Sequence, residues 1–301
     1  MKPTSKTLIF FGNERLSTGF QPEGAPTLQA LIDNGYDVQA VVSHFTPGTS
    51  RRARRLEIEE VATAHNIPVL LPNRLIDIKE ELLAYKADAG VLAAYGKIIP
   101  QEIIDIFNHG IINIHPSLLP LYRGSTPIEQ AILESPTETG VSLMKLVRAM
   151  DAGPIFAQEK ITLTGTESKQ QLTQQLLALG SAMLIKHLPA ILAESLTAMP
   201  QEEPNATYTR LLTKEDGVLD VTKTATQLER EVRAFQEWPK SRVTVFNTPI
   251  IVTKARVVPE NTSGKLVIAC GHASYLEITE LTAPSGKSMS GEAFMRGYRS
   301  R

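Results

Sequence analysis

Short apolar runs and amphipathic stretches alternate through the first half of the chain. Residues 8–11 read as a strand, 26–34 as a short helix stopped by Gly35, and 38–42 as a second strand. A helix follows over about 56–65, with further strands at 69–71, 89–93 and 111–114. This alternation predicts a parallel sheet wound with helices. Such sheets take ligands beyond the carboxyl ends of their strands, which directs attention to Gly12, Ser43, Tyr95 and Asn113.

The pattern changes in the second half. A leucine-rich helix over about 168–196 gives way to MPQEEPNATY at 199–208, which has two prolines, little apolar periodicity and the character of a linker. Beyond it a helical stretch at 225–235 precedes runs rich in Val, Ile and Thr at 242–246, 250–258, 265–269 and 275–281, separated by turn residues. These predict a small antiparallel barrel or sandwich. A length of 301 residues fits two domains at roughly 150 residues each. The expected division is a domain over 1–198, a linker over 199–208 and a second domain over 209–301.

Composition narrows the class. With 42% hydrophobic and 21% charged residues the chain is neither disordered nor collagen-like. The single cysteine, Cys270, cannot form an internal disulfide, and the six histidines show no zinc-type pairing with it. A reducing, cytoplasmic setting without a metal is the expectation. No stretch is expected to approach the about 18 apolar residues of a membrane span, so a membrane role is not expected. The net charge of −1 argues against a uniformly basic surface, yet its distribution is uneven. Residues 1–205 carry 17 Lys/Arg against 22 Asp/Glu, and residues 206–301 carry 14 against 10. That asymmetry permits a polyanion along the C-terminal part, or describes only solvated surface.

No GxGxxG, GxxxxGK[ST] or GxSxG motif is present, which disfavours a dinucleotide site, a phosphate loop and a serine hydrolase. The informative stretch is NIHPSLLPLYRG at 113–124. Asn113 and His115 alternate around Ile114 at a strand end, so their side chains leave one face of the sheet at the crevice. An amide donor beside an imidazole can hold a carbonyl oxygen as it gains negative charge. Taken alone, the same pair also fits a capped turn and a backbone-bonded histidine. MDAGPI at 150–155 supplies Asp151, which can orient His115 and relay protons, or simply form a turn before Gly-Pro.

Together these residues resemble the folate-dependent formyltransferases, whose shared site is an asparagine, the histidine two residues on and a later aspartate, here Asn113, His115 and Asp151. The resemblance extends through both halves. It implies a Rossmann-like N-terminal domain, a C-terminal β-barrel (OB-like) domain and 10-formyltetrahydrofolate as formyl donor, with no metal. Ser117, Leu118, Leu119 and Pro120 fall where the family lines its folate pocket, and Leu92, Ala93, Tyr95 and Gly96 fall on its pterin-side loop.

Within the family, KEDGVLD at 214–220, VRAFQEWP at 232–239 and SGKSMSGEAFMRGYR at 285–299 resemble the methionyl-tRNA formyltransferases. That likeness implies initiator methionyl-tRNA as acceptor, a role in translation initiation and a monomer. It also places Lys214 and the basic loop carrying Arg51, Arg52, Arg54 and Arg55 at the RNA. Nucleotide-sugar formyltransferases and formyltetrahydrofolate hydrolases share the three residues and are the alternatives. The chain departs from the family pattern after the first strand, where GNERLSTGFQPEGAP replaces a turn usually like GTPDFAVP.

Overall fold

The structure, a computed structural model, describes residues 6–20, 22–44, 57–260 and 263–298. These form two compact units, one of Met1–Pro127, Glu138–Thr162 and Thr173–Thr209, the other of Ile128–Thr137, Leu163–Leu172 and Arg210–Arg301.

The first unit is built on a seven-stranded sheet. In chain order its elements are β1 (Thr7–Gly12), α1 (Pro26–Asp33), β2 (Asp37–Val42), α2 (Glu57–Ala64), β3 (Val69–Leu70), α3 (Lys79–Ala84), β4 (Ala89–Ala93), α4 (Gln101–Ile104) and β5 (Ile111–His115). Next come β6 (Glu138–Lys145), β7 (Ile155–Thr162) and, from Thr173 on, α6 (Lys169–Leu192), while α5 (Pro127–Glu134), between β5 and β6 in the chain, belongs from Ile128 on to the second unit. The strand order is β3-β2-β1-β4-β5-β6-β7, which reverses direction between β1 and β4. Strands β1 to β5 pair in parallel, and β4 and β5 are buried along their whole length, as expected of strands covered on both faces.

The expectation of a parallel sheet holds for five strands. The last two, β6 and β7, run antiparallel to their neighbours. Apolar β6 reads like a fully covered strand, and hydrophobic content carries no information about direction. At the edge, β7 alternates half-buried and exposed positions, so one of its faces meets solvent. Helix α6 contains a stretch long and apolar enough, by length and composition alone, to cross a membrane, contrary to the sequence expectation. Half of that stretch is buried in the protein, through Leu176, Leu177, Leu184, Leu188 and Ile191 among others.

The second unit has α7 (Ala225–Ala234), β8 (Ser241–Val245), β9 (Thr248–Val258), β10 (Val267–Cys270), β11 (Ser274–Thr282), β12 (Ser288–Ser290) and α8 (Gly291–Tyr298). Its antiparallel sheet runs β10-β11-β9-β8, with β12 on β11, and curls into a half-barrel. Helix α7 begins with a capping box in which Thr224 accepts from the Gln227 N–H and the Gln227 side chain returns the bond. Leu228 and Val232 of α7 and Phe294 of α8 close a core with Val252, Leu276, Ile278 and Leu281.

Candidate active site

Register places the sequence-selected residues side by side. Asn113 and His115 end β5, and Asn113 pairs with Leu92 on β4. Both residues are 5% exposed. Ile114, between them, is buried on the opposite face. Among the described residues the Asn113 carboxamide makes no hydrogen bond, so its donors remain for a ligand. The His115 ring is fixed through Nε2, which lies 3.2 Å from the Tyr122 carbonyl. A carbonyl only accepts, so Nε2 carries the proton of that bond.

Asp151 lies in the loop between β6 and β7 with φ of 47°, a left-handed conformation that is strained for any residue with a side chain. Its Oδ2 accepts from the Gly124 N–H at 2.8 Å, and its Oδ1 lies 3.8 Å from His115 Nδ1. One oxygen is anchored and the other faces the imidazole. Two glycines make the approach possible. A Cβ on Gly124, which has φ of 112°, would meet the Thr209 carbonyl at 2.5 Å, and one on Gly153 would meet the Lys145 carbonyl at 1.8 Å.

The loop over residues 116–124 is tied to the sheet from below. Ser142 on β6 donates its hydroxyl to the Ser117 carbonyl at 2.6 Å and accepts the Leu119 N–H at 3.0 Å. Gln158 on β7 donates to the Leu119 carbonyl at 2.8 Å. Ser117 is fully buried and bonds the Leu121 carbonyl, Leu119 is buried, and Leu118 and Pro120 are half-buried. The Leu119–Pro120 peptide is cis.

At the end of β4, Leu92 and Ala93 are buried, and Gly96 follows with φ of 72°. Tyr95 packs edge-on against Phe11 at 6.1 Å and His44 at 5.6 Å, and burial pushes its phenol above the usual range. Beside it, Ser43 Oγ and His44 Nδ1 are buried and have no hydrogen-bond partner among the described residues. Burial, then the Lys97 charge, holds His44 below the usual imidazole range. Lys214 is exposed in the second unit. Arg51, Arg52, Arg54 and Arg55 lie outside the described residues.

Three polar residues at the site escaped sequence reading. Arg123 is only 1% exposed although it stands inside the motif, and it bonds Gln201, Glu203 and Tyr208. Gln201 comes from the segment read as a linker. Glu14, in the divergent loop after β1, is fully buried and accepts the N–H groups of Thr27 and Leu28 at 2.8 and 3.0 Å. It thereby caps α1, whose own N-cap, Ala25, supplies no side-chain bond. Each of these interactions joins segments far apart in sequence, and no local pattern signals them.

Residues 17–188 match the family model described as formyl transferase, and residues 211–299 match its C-terminal domain. The chain belongs to the formyl transferase family. Among relatives of this family, the methionyl-tRNA formyltransferase of Chloroflexus aggregans is 36% identical over 285 residues, 90% of this chain and 92% of that protein. The methionyl-tRNA formyltransferase of Methylococcus capsulatus is 35% identical over 92% of this chain and 94% of its own length. An N-formyltransferase from Helicobacter canadensis, solved with folinic acid and dTDP-3-aminofucose, shares the formyl transferase fold. Its TM-score is 0.69 at 16% identity, over 91% of this chain and 98% of that one. Among the described residues no group of three or more His, Cys, Asp and Glu is placed to hold a metal ion.

Proposed function

We propose that this chain transfers the formyl group of 10-formyltetrahydrofolate to the amino group of methionine esterified to initiator tRNA, in the service of translation initiation. The likeness to the Chloroflexus aggregans enzyme, near full length in both proteins, carries this reading. The convergence of Asn113, His115 and Asp151 supports it from the chemistry.

The donor supplies a formyl carbon already activated on a folate nitrogen. An uncommitted Asn113 amide beside a fixed imidazole fits such a group, and Leu92, Ala93, Tyr95, Gly96 and Ser117 to Pro120 are the residues that would hold it. Asn113 donates an N–H to the formyl oxygen as charge develops there, and His115, whose Nε2–H is spent on the Tyr122 carbonyl, serves the reaction through its Nδ1 edge. The His115 ring is already held by the Tyr122 carbonyl, so little of it reorganises when the amine attacks. Asp151, with Oδ1 toward His115 Nδ1, takes part in moving the proton that the amine nitrogen carries once it has added to the formyl carbon. The bond from that carbon to the folate nitrogen then breaks, and the folate nitrogen leaves with its electron pair and takes up a proton.

In this reading residues 1–198 catalyse, 199–208 connect, and 209–301 bind the tRNA with help from Lys214 and the four arginines at 51, 52, 54 and 55. The protein acts as a cytoplasmic monomer. The test is formylation of charged initiator tRNA by the purified chain, with amino-sugar nucleotides and water as competing acceptors. Exclusive use of a sugar, or release of formate without tRNA product, overturns the reading.

A further inference from the structure

The segment over residues 199–209 runs beside both loops of the candidate site. Met199 and Ile155 exchange backbone hydrogen bonds of 2.8 Å in each direction. The Arg123 N–H donates to the Thr207 carbonyl at 2.9 Å, the Tyr122 N–H donates to Thr207 Oγ1 at 2.8 Å, and the Thr209 N–H donates to the Arg123 carbonyl at 2.7 Å. Between these anchors stands Gln201. Its Oε1 accepts from Arg123 Nε at 3.0 Å and Nη2 at 2.8 Å, and its Nε2 donates to the carbonyls of Asp151 and Gly153, both at 2.7 Å. All four hydrogen-bonding positions of the amide are used. Turning the amide over would set its oxygen against two carbonyls, so these partners fix its orientation.

The Asp151 backbone is strained, and a left-handed residue of that kind persists only where its surroundings hold it. Its side chain has one short anchor, the Gly124 N–H, while Oδ1 stands 3.8 Å from His115. The direction of that oxygen therefore depends on where the backbone of residues 151–153 is held. Gln201 grips that backbone at two carbonyls. Arg123 grips Gln201 in turn, and is itself held by Glu203 at 2.7 and 3.1 Å and by the Tyr208 hydroxyl at 3.0 Å.

We propose that Gln201 is a positioning residue for the reaction, acting through the Asp151 carbonyl to aim the Asp151 carboxylate at His115. The inference rests on the reading of Asp151 given above. It turns the apparent linker into a strap whose amide sets the geometry of the site.

Gln201→Glu separates positioning from general weakening. Glutamate keeps the oxygen that accepts from Arg123 and replaces the two N–H donors with an oxygen that the Asp151 and Gly153 carbonyls repel. With 10-formyltetrahydrofolate and methionyl initiator tRNA, kcat is expected to fall about tenfold or more while both KM values stay within about twofold. In an Asp151→Asn background the same change is expected to cost less than about twofold, because the carboxylate it aims is gone. If Gln201→Glu does not fold, Gln201→Met removes the same donors without repulsion and is expected to lower kcat in the same direction. An unchanged kcat in the folded variant, or the full loss repeated in the Asp151→Asn background, overturns the proposal. A wild-type chain inactive toward this tRNA overturns the functional reading instead, so the two failures are distinct.

Discussion

Glu14 at 59° after β1 and Asp151 at 47° between β6 and β7 are two of the carboxylates that the first unit carries on residues with positive φ. Both accept backbone N–H groups, yet they differ in what is left over. Glu14 spends both oxygens on the Thr27 and Leu28 amides and has no exposed surface. Burial pushes its carboxyl above the usual range, with the amide hydrogen bonds pulling the other way. Asp151 spends one oxygen on Gly124 and turns the other toward an imidazole, with its side chain 16% exposed. A carboxylate whose hydrogen-bonding capacity is exhausted holds structure together. One with an oxygen left facing a titratable ring is available for chemistry.

That contrast is broken most sharply by removing one functional group at a time. Asp151→Asn is expected to lower turnover by about 10²–10⁴, the range of a lost acid–base group, while folate binding and folding persist. Single-turnover kinetics beside a folate-binding titration checks it, and a variant that fails to fold would make Asp151 a turn residue of the same kind as Glu14. Asn113→Ala is expected to cost about 10²–10³ in turnover, the scale of one oxyanion donor. Near-normal turnover in the folded variant would remove the amide from the mechanism.

The sequence made one side of this comparison legible and left the other dark. Asn113 and His115 could be placed on one face because two-residue alternation at a strand end fixes the face from local geometry alone. Asp151 before Ala-Gly-Pro reads equally as a turn and is singled out only by the family resemblance. Glu14 sits in the stretch that departs from its family, and its partners lie 13 and 14 residues away on a helix that the pattern located but could not cap. Arg123 and Gln201 meet across 78 residues, a pairing that no periodicity encodes. The five parallel strands followed from apolar runs alternating with amphipathic helices, while the reversal at β6 and β7 lay in chain direction, which apolar content does not record.

A smaller effect, in binding rather than chemistry, is expected from the basic loop. Neutralising Arg51, Arg52, Arg54 and Arg55 together is expected to weaken initiator tRNA binding and to flatten its salt dependence. The log–log slope should fall by about 0.7 to 0.9 for each phosphate that the loop no longer neutralises. Donor binding should not change. With a net charge of −1, the chain has no general positive excess to compensate. An unaltered affinity and slope would assign the loop to solvent and shift weight to a small acceptor.

The smallest effect on turnover belongs to Glu14→Gln. It is expected to change kcat by no more than about threefold while costing about 1–3 kcal/mol of stability, because one amide at the start of α1 then faces a donor. Since the folded state raises the Glu14 pKa, the contribution of this group is fully present below its unfolded pKa and is lost as pH rises through the folded value. The stability gap between wild type and variant should therefore be widest in acid and narrow above the ordinary carboxylate range. Denaturant melts across that range check the sign, and a gap that widens with rising pH would contradict it.

The central claim, that Asn113, His115 and Asp151 serve formyl transfer to an aminoacylated RNA, meets its most direct test in one assay. The purified chain and its Asp151→Asn variant are given 10-formyltetrahydrofolate with charged initiator tRNA, an amino-sugar nucleotide or water alone. The account predicts formylmethionyl-tRNA as the product, at a rate that collapses in the variant. Formylated sugar as the sole product, formate released into water, or an Asp151→Asn variant as fast as wild type would contradict it.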